Sequence, residues 1–172
     1  MSSIKRITTE YNEQEDRIRL AGLTGSQTVT LWFTMRLMSR LITHCLGLLE
    51  GGTSEPKNTS PKSPQSRQSI QNFVQKSAEE QIPEESAVKV SADSPRHLIV
   101  EIDVKNASNG VVLVFKSESE SVYDVFFELK KLRQWLGMLH MIWGKAEWPE
   151  TIWPDWMEKD HSQPTPGEIS VH

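Results

Sequence analysis

Apolar and polar residues alternate along the start of the chain and then change to a helical period. The alternation predicts three strands, at Ile4 to Tyr11, Asp16 to Leu20 and Thr28 to Phe33. From Leu37 onward the apolar residues fall instead on one face of a helix, at Met38, Leu41, Ile42, Cys45, Leu48 and Leu49. Thr34 is a candidate N-cap for this helix, and Gly51 with Gly52 would end it.

The same order of elements recurs after residue 86. Strands are predicted at Ala87 to Ala92, Leu98 to Val104 and Val111 to Lys116, with a turn at Asn109 and Gly110. A helix follows, capped by Ser121, with an apolar stripe at Val122, Val125, Phe126, Leu129, Leu132, Leu136, Leu139 and Trp143. The two halves are either a true internal repeat or two generic units in succession.

This order of elements indicates an α+β fold. Because strands precede helices in runs, an antiparallel sheet covered by helices is favoured over a parallel α/β design. We expect two βββα units, at residues 1–50 and 86–147, packed as one globular domain across residues 1–147. Residues 51–85 are expected to form a flexible linker with a short helix at Gln71 to Gln81, and residues 148–172 a tail rich in Trp and Pro.

Composition narrows the class of protein. The chain has 172 residues, 37% of them hydrophobic, with a net charge of -4, which fits about one globular domain and argues against a dedicated nucleic-acid binder. Its single cysteine, Cys45, lies in an apolar helical pattern and predicts a buried, inert thiol in a reducing compartment. Met1 to Arg6 does not lead into an apolar core, and no apolar run is long enough to span a membrane. We therefore expect a cytoplasmic protein.

Motifs that carry catalysis or bind metals are absent from the sequence. It contains no glycine-rich phosphate loop, no His-Glu-x-x-His, no Cys-x-x-Cys and no Gly-x-Ser-x-Gly. His44 and Cys45 are adjacent, but neighbouring helical residues point about 100° apart, so they do not form a pair. We expect no metal, no cofactor and no catalytic residue, with an enzyme of unrecognised type as an alternative.

Two basic groups form a candidate anion-binding face. Arg36, Arg40 and His44 recur at four-residue steps and so lie on one side of the first helix. Arginine suits phosphate or carboxylate because its planar donors engage two oxygens. The candidate residues are Arg36, Arg40, Lys130, Lys131 and Arg133. They are either ordinary solvated positions or contacts for an acidic or nucleic-acid partner, which is the alternative function. The second interpretation is favoured further if the two groups adjoin in space.

Tryptophan is concentrated in the last quarter of the chain. Five of the six tryptophans lie there, and the segment from Trp135 to Trp143 is apolar nearly all round. Pro149 and Pro154 follow tryptophans directly and favour an extended segment. The predicted partner-binding residues are Trp135, Met138, Met141, Trp143, Trp148, Trp153 and Trp156.

These rings have two interpretations. They either clamp the tail onto the chain's own core or bind another protein, including a second copy in a homodimer. The favoured hypothesis is a non-enzymatic protein-interaction or scaffolding module that uses this helix and tail.

The opening of the chain carries a resemblance. Glu15-Asp16-Arg17-Ile18-Arg19-Leu20, followed by Leu31-Trp32-Phe33-Thr34 and by Arg-Leu pairs at Arg36 and Arg40, resembles a family of small proteobacterial proteins without an established activity. The resemblance implies a bacterial cytoplasmic origin and no reaction. The order of elements is also similar to the head domain of the eukaryotic end-joining scaffold superfamily, whose members dimerise through a C-terminal helix, but no residue motif accompanies that likeness.

Overall fold

The structure, a computed structural model, describes residues 1–52 and 63–157, and the predicted linker and tail lie partly outside this range. The described part contains seven strands: β1 (Ser2–Ile4), β2 (Arg6–Asn12), β3 (Arg17–Thr24), β4 (Gln27–Phe33), β5 (Arg96–Ala107), β6 (Gly110–Ser117) and β7 (Val122–Glu128). It also contains three α-helices: α1 (Met35–Gly52), α2 (Pro64–Glu80) and α3 (Leu129–Ala146). The fold is therefore α+β, as predicted.

The strands form one sheet that closes on itself. Their order is β1-β7-β6-β5-β4-β3-β2, so β1 and β2 stand at opposite ends. Only Lys5 separates these two strands along the chain, and its N–H donates to the Leu23 carbonyl at 2.8 Å. The N-terminal segment therefore pairs with β7 on one side and with β3 on the other. The closure is incomplete, because the outer edge of β2 and most of one edge of β5 have no strand partner among the described residues.

The sheet is mixed, which corrects the expected antiparallel sheet. The two meanders β2-β3-β4 and β5-β6-β7 are antiparallel inside. They join through two parallel contacts, β4 with β5 and β7 with β1. Strand β4, the last of the first meander, lies beside β5, the first of the second. Strand β7, the last of the second meander, lies beside β1, which precedes β2 in the chain.

The two βββα units occupy equivalent places. Phe33 pairs with Ile18 in the first unit, and Phe127 pairs with Val111 in the second. A helix begins two residues after each phenylalanine, and both helices are 18 residues long. Each phenylalanine thus fixes a register for comparing the units residue by residue.

One face of the sheet and the two helices share a single core. The sheet contributes Ile18, Leu20, Val29, Leu31, Phe33, Ile99, Val111, Leu113, Phe115 and Val125, and the helices contribute Met38, Ile42, Cys45, Leu132, Leu136 and Leu139. Phe33 and Phe115 meet edge to face, with ring centroids 5.1 Å apart. Helix α2 packs outside this core, against α3.

The predicted start of the second helix is wrong. Residues 122–128 form strand β7, and α3 begins only at Leu129. Val122, Val125 and Phe126 fit a helical stripe, but Tyr123, Val125 and Phe127 alternate just as well. Pairing with both β6 and β1 decides between these patterns, because it satisfies the backbone on both sides.

Three other predicted elements also differ. The strand predicted at Ala87 to Ala92 has no regular structure. Helix α2 starts at Pro64, well before the predicted Gln71, because the Ser63 hydroxyl caps it by accepting from the Ser66 N–H. The Trp- and Pro-rich segment contains two short 3-10 helices, at Glu150–Ile152 and Asp155–Met157, where an extended chain was predicted.

Candidate functional site

The five C-terminal tryptophans are buried in the chain's own core. At most 7% of the surface of each residue is exposed, at Trp135, Trp143, Trp148, Trp153 and Trp156. Trp143 lies at the centre of the group and meets the rings of Trp148 and Trp153 edge to face, at 4.7 and 5.8 Å. This arrangement fits the interpretation in which the rings pack the C-terminal segment onto the chain's own core. The buried rings are not accessible to a partner.

Hydrogen bonds fix several of these rings to distant parts of the chain. The Trp148 indole donates to the Asp16 carboxylate at 2.9 Å, and the Trp156 indole donates to Glu50 at 3.0 Å. The segment from Trp148 to Trp156 is therefore held against the first hairpin and the end of α1. Of the predicted partner-binding residues, only Met138 and Met141 are exposed.

Arg133, predicted on the basic face, is buried instead. Its Nη2 donates to the Gln71 side chain at 2.7 Å, and its guanidinium lies 5.7 Å from the centre of the Trp156 ring. Gln75 donates to the Arg133 carbonyl at 2.8 Å. Burial lowers the pKa of Arg133 below its usual value. Within the described residues no carboxylate forms a salt bridge with this guanidinium.

Arg133 lines an apolar cavity that we call the three-helix groove. The groove has a volume of about 380 Å³ and is lined by Leu48, Leu49, Phe73, Val74, Ser77, Ala78, Gln81, Leu129, Lys130 and Arg133. Phe73 at its wall is 73% exposed, and Leu129 is 44% exposed. The sequence did not single out Phe73, because the thin apolar content of α2 hid which face it would bury.

A second cavity, the α1–β5 groove, lies against the N-terminal half of α1. It has a volume of about 670 Å³ and is lined by Leu37, Arg40, Leu41, His44, Val100, Glu101, Ile102, Asp103, Val104 and Lys105. Lys116 forms ion pairs with Glu101 at 2.7 Å and with Asp103 at 2.8 Å. The Lys116 pairing lowers the pKa of Asp103 below its usual value.

The two predicted basic groups do not share a cavity. Arg40 lies in the α1–β5 groove, whereas Lys130 and Arg133 lie in the three-helix groove. Arg36 and Lys131 are exposed. The cavities therefore do not bring the two groups together, and they add no support to the nucleic-acid alternative.

The reactive side chains considered next, all in the described part of the chain, do not form a recognisable catalytic arrangement. Burial raises the pKa of the Cys45 thiol to about 12, so it is a poor nucleophile near neutral pH. His97 Nδ1 lies 3.0 Å from the Ser119 hydroxyl, but no described cavity contains this pair. In residues 1–52 and 63–157 no cluster of His, Cys, Asp or Glu could hold a metal ion. None of the described helices has the length and apolar character to cross a bilayer.

Comparison with family models, curated proteins and solved structures finds no match to this chain.

Proposed function

We propose that the protein is a non-enzymatic protein-interaction module whose three-helix groove binds an apolar, carboxylate-bearing segment of a partner protein. The observation that carries the proposal is the exposure of Phe73 beside an apolar cavity. An aromatic ring exposed to this degree on a helix is costly in water, and such rings are enriched at the centres of protein interfaces.

Charge supports the choice of ligand. Lys130 and Arg133 line the groove, and Arg133 is held by neutral amide side chains. A buried cation without a carboxylate is unfavourable, so an incoming carboxylate would compensate it. The residues that contribute from α3 lie in its first turns, not in the tryptophan-rich part that the sequence favoured. We place this module in a reducing cytoplasm, since its one thiol is buried.

Photo-crosslinking at Phe73 tests the proposal. Benzoylphenylalanine replaces Phe73 in cells that produce the chain, and irradiation should give a discrete protein adduct that Leu129→Asp removes. Lys76 is the matched control position, because it is exposed on the same helix but does not line the groove. Absence of an adduct at position 73, or the same adduct from position 76, contradicts the proposal.

A second measurement checks the chemistry of the groove without a known partner. Octanoate and octylamine share an apolar chain and differ in the sign of their charge. Octanoate alone should shift the amide NMR signals of Val74, Ala78 and Leu129. Equal shifts with octylamine would show that the two cations do not select a carboxylate.

A further inference from the structure

The edge of β5 is free along most of its length. Strand β4 pairs only with Arg96–Leu98, whereas β6 pairs with β5 as far as Ala107. From Glu101 onward the other edge of β5 has no strand partner among the described residues. Helix α1 lies beside this edge, and the α1–β5 groove separates them. Unpaired backbone N–H and C=O groups at such an edge can pair with another strand.

The space between α3 and β2 is the counterpart of the α1–β5 groove, and a side chain fills it. Counted from Phe33 and Phe127, Leu41 of α1 is equivalent to Trp135 of α3, since each lies eight residues later. The Trp135 indole stacks on Phe127 with centroids 5.0 Å apart and donates to the Thr9 hydroxyl of β2 at 3.0 Å. The Trp135 indole thus occupies the space between α3 and β2.

The corresponding space between α1 and β5 is open. Thr9 pairs with Leu20 and Val104 pairs with Leu113, and these leucines are equivalent because they follow Ile18 and Val111 by two residues. Val104 and Leu41 both line the α1–β5 groove.

The residue two positions further along each strand shows the same difference. Tyr11 contacts Trp148 edge to face at 5.5 Å, whereas its equivalent is the smaller Asn106. The chain therefore leaves room beside Leu41 and Val104, where its other half places the Trp135 indole.

The side chains at the α1–β5 groove carry a small positive net charge. The single ammonium of Lys116 pairs with both carboxylates, Glu101 and Asp103, and so offsets only one of their two negative charges. Arg40 and His44 on α1 and Lys105 on β5 remain at the groove. An occupant with acidic side chains would complement them.

We propose that the α1–β5 groove binds an extended, acidic segment of a partner protein that adds as a strand to the free edge of β5 and inserts an aromatic side chain beside Leu41. Strand addition takes affinity from backbone hydrogen bonds and specificity from pockets for alternate side chains. Both are present here, as the free edge and as the cavity beside Leu41 and Val104. This surface is separate from the three-helix groove.

Peptide selection tests this inference with Leu41→Trp as the filled-groove variant. A random peptide library on phage is selected on the wild-type chain after depletion on Leu41→Trp. Selected peptides should carry an aromatic residue flanked by Asp or Glu, and synthetic copies should bind Leu41→Trp roughly tenfold or more weakly. Arg40→Glu, an exposed change that leaves the core intact, should also weaken binding.

Control variants separate the outcomes. Phe73→Ser alters only the other groove and should leave peptide binding unchanged, so failure of the proposed function and failure of this inference are distinguishable. No enrichment, or peptides that bind Leu41→Trp as tightly as wild type, overturns the inference. A wild-type dimer in light scattering that Arg40→Glu or Leu41→Trp dissociates would also overturn it, because the occupant would then be a second copy.

Discussion

Asp16 joins the first hairpin to the C-terminal segment. It adopts a left-handed backbone with φ of 51°, a conformation that Asp and Asn tolerate better than most residues. Its carboxylate accepts from the Tyr11 hydroxyl at 2.5 Å and from the Trp148 indole. These two donors lower the pKa of Asp16 below its ordinary value of 3.8, and the same contact raises the pKa of Tyr11 to about 12.

Asp16→Asn should make the fold less sensitive to acid. Because the folded-state pKa of Asp16 is lowered, its contribution to stability is complete above the ordinary pKa and is lost as pH falls through the folded-state pKa. The variant should therefore melt at a lower temperature than wild type at neutral pH, with a gap that closes in acid. Thermal melts of both proteins from neutral pH down to below the ordinary Asp pKa of 3.8 check the prediction. A difference in melting temperature that does not change with pH contradicts it. Absorbance titration should also show the Tyr11 pKa moving back toward 10.0.

Arg133→Lys should destabilise the chain although it keeps the charge. A lysine cannot span the Gln71 and Gln75 side chains or stack on Trp156 as a guanidinium does. We expect a loss of about 1 to 3 kcal/mol, since buried acceptors lose their donors. Urea denaturation measures it. Lys131→Arg, at the exposed neighbouring position, is the control, and equal stability of both variants would contradict the assigned role.

At the scale of elements, two glycines with opposite surroundings test how strand and helix constrain the backbone. A Cβ on Gly47 in α1 would meet nothing within 4 Å, whereas one on Gly110 in β6 would lie 2.0 Å from the Phe127 carbonyl oxygen. Gly47→Ala should therefore stabilise the chain by roughly 0.5 to 1 kcal/mol through helix propensity. Gly110→Ala should lower the urea midpoint sharply, and similar midpoints for the two variants would contradict the contacts described.

The elements also show where local pattern suffices. The helical stripe from Met38 to Leu49 predicted α1, and Thr34 does cap it, accepting from the Leu37 N–H at 3.3 Å. Residues 122–128 fit both periods, so only pairing with β6 and with β1, from the far end of the chain, identifies the strand. Helix α2 depends on polar contacts such as Gln134 to the Ala78 carbonyl, for which apolar periodicity carries no signal.

At the scale of the whole molecule, the closed sheet decides the fate of the tryptophans. The prediction that the C-terminal rings need a partner assumed that one small domain could not cover them. The break at Lys5 has no sequence signature, yet it lets one N-terminal segment pair with both β3 and β7. Closure concentrates the apolar face inside, and Trp135 and Trp148 cover β2 from its open side. The sequence could not reveal that β5, the corresponding strand of the second unit, lacks such cover.

The equivalence of the two units makes a reciprocal prediction about stability. Trp135→Leu gives α3 the residue that α1 has at the equivalent position, Leu41, so it should open a cavity beside Thr9 and leave that hydroxyl without its indole donor. We expect a loss of about 2 to 4 kcal/mol, because buried large-to-small changes combine lost transfer energy with a cavity. Leu41→Trp should change stability by less than about 1 kcal/mol, since the added ring enters existing space. Urea denaturation of both variants measures the contrast. If Trp135→Leu were harmless or Leu41→Trp strongly destabilising, the α1–β5 groove would not be the open counterpart of the space that Trp135 fills.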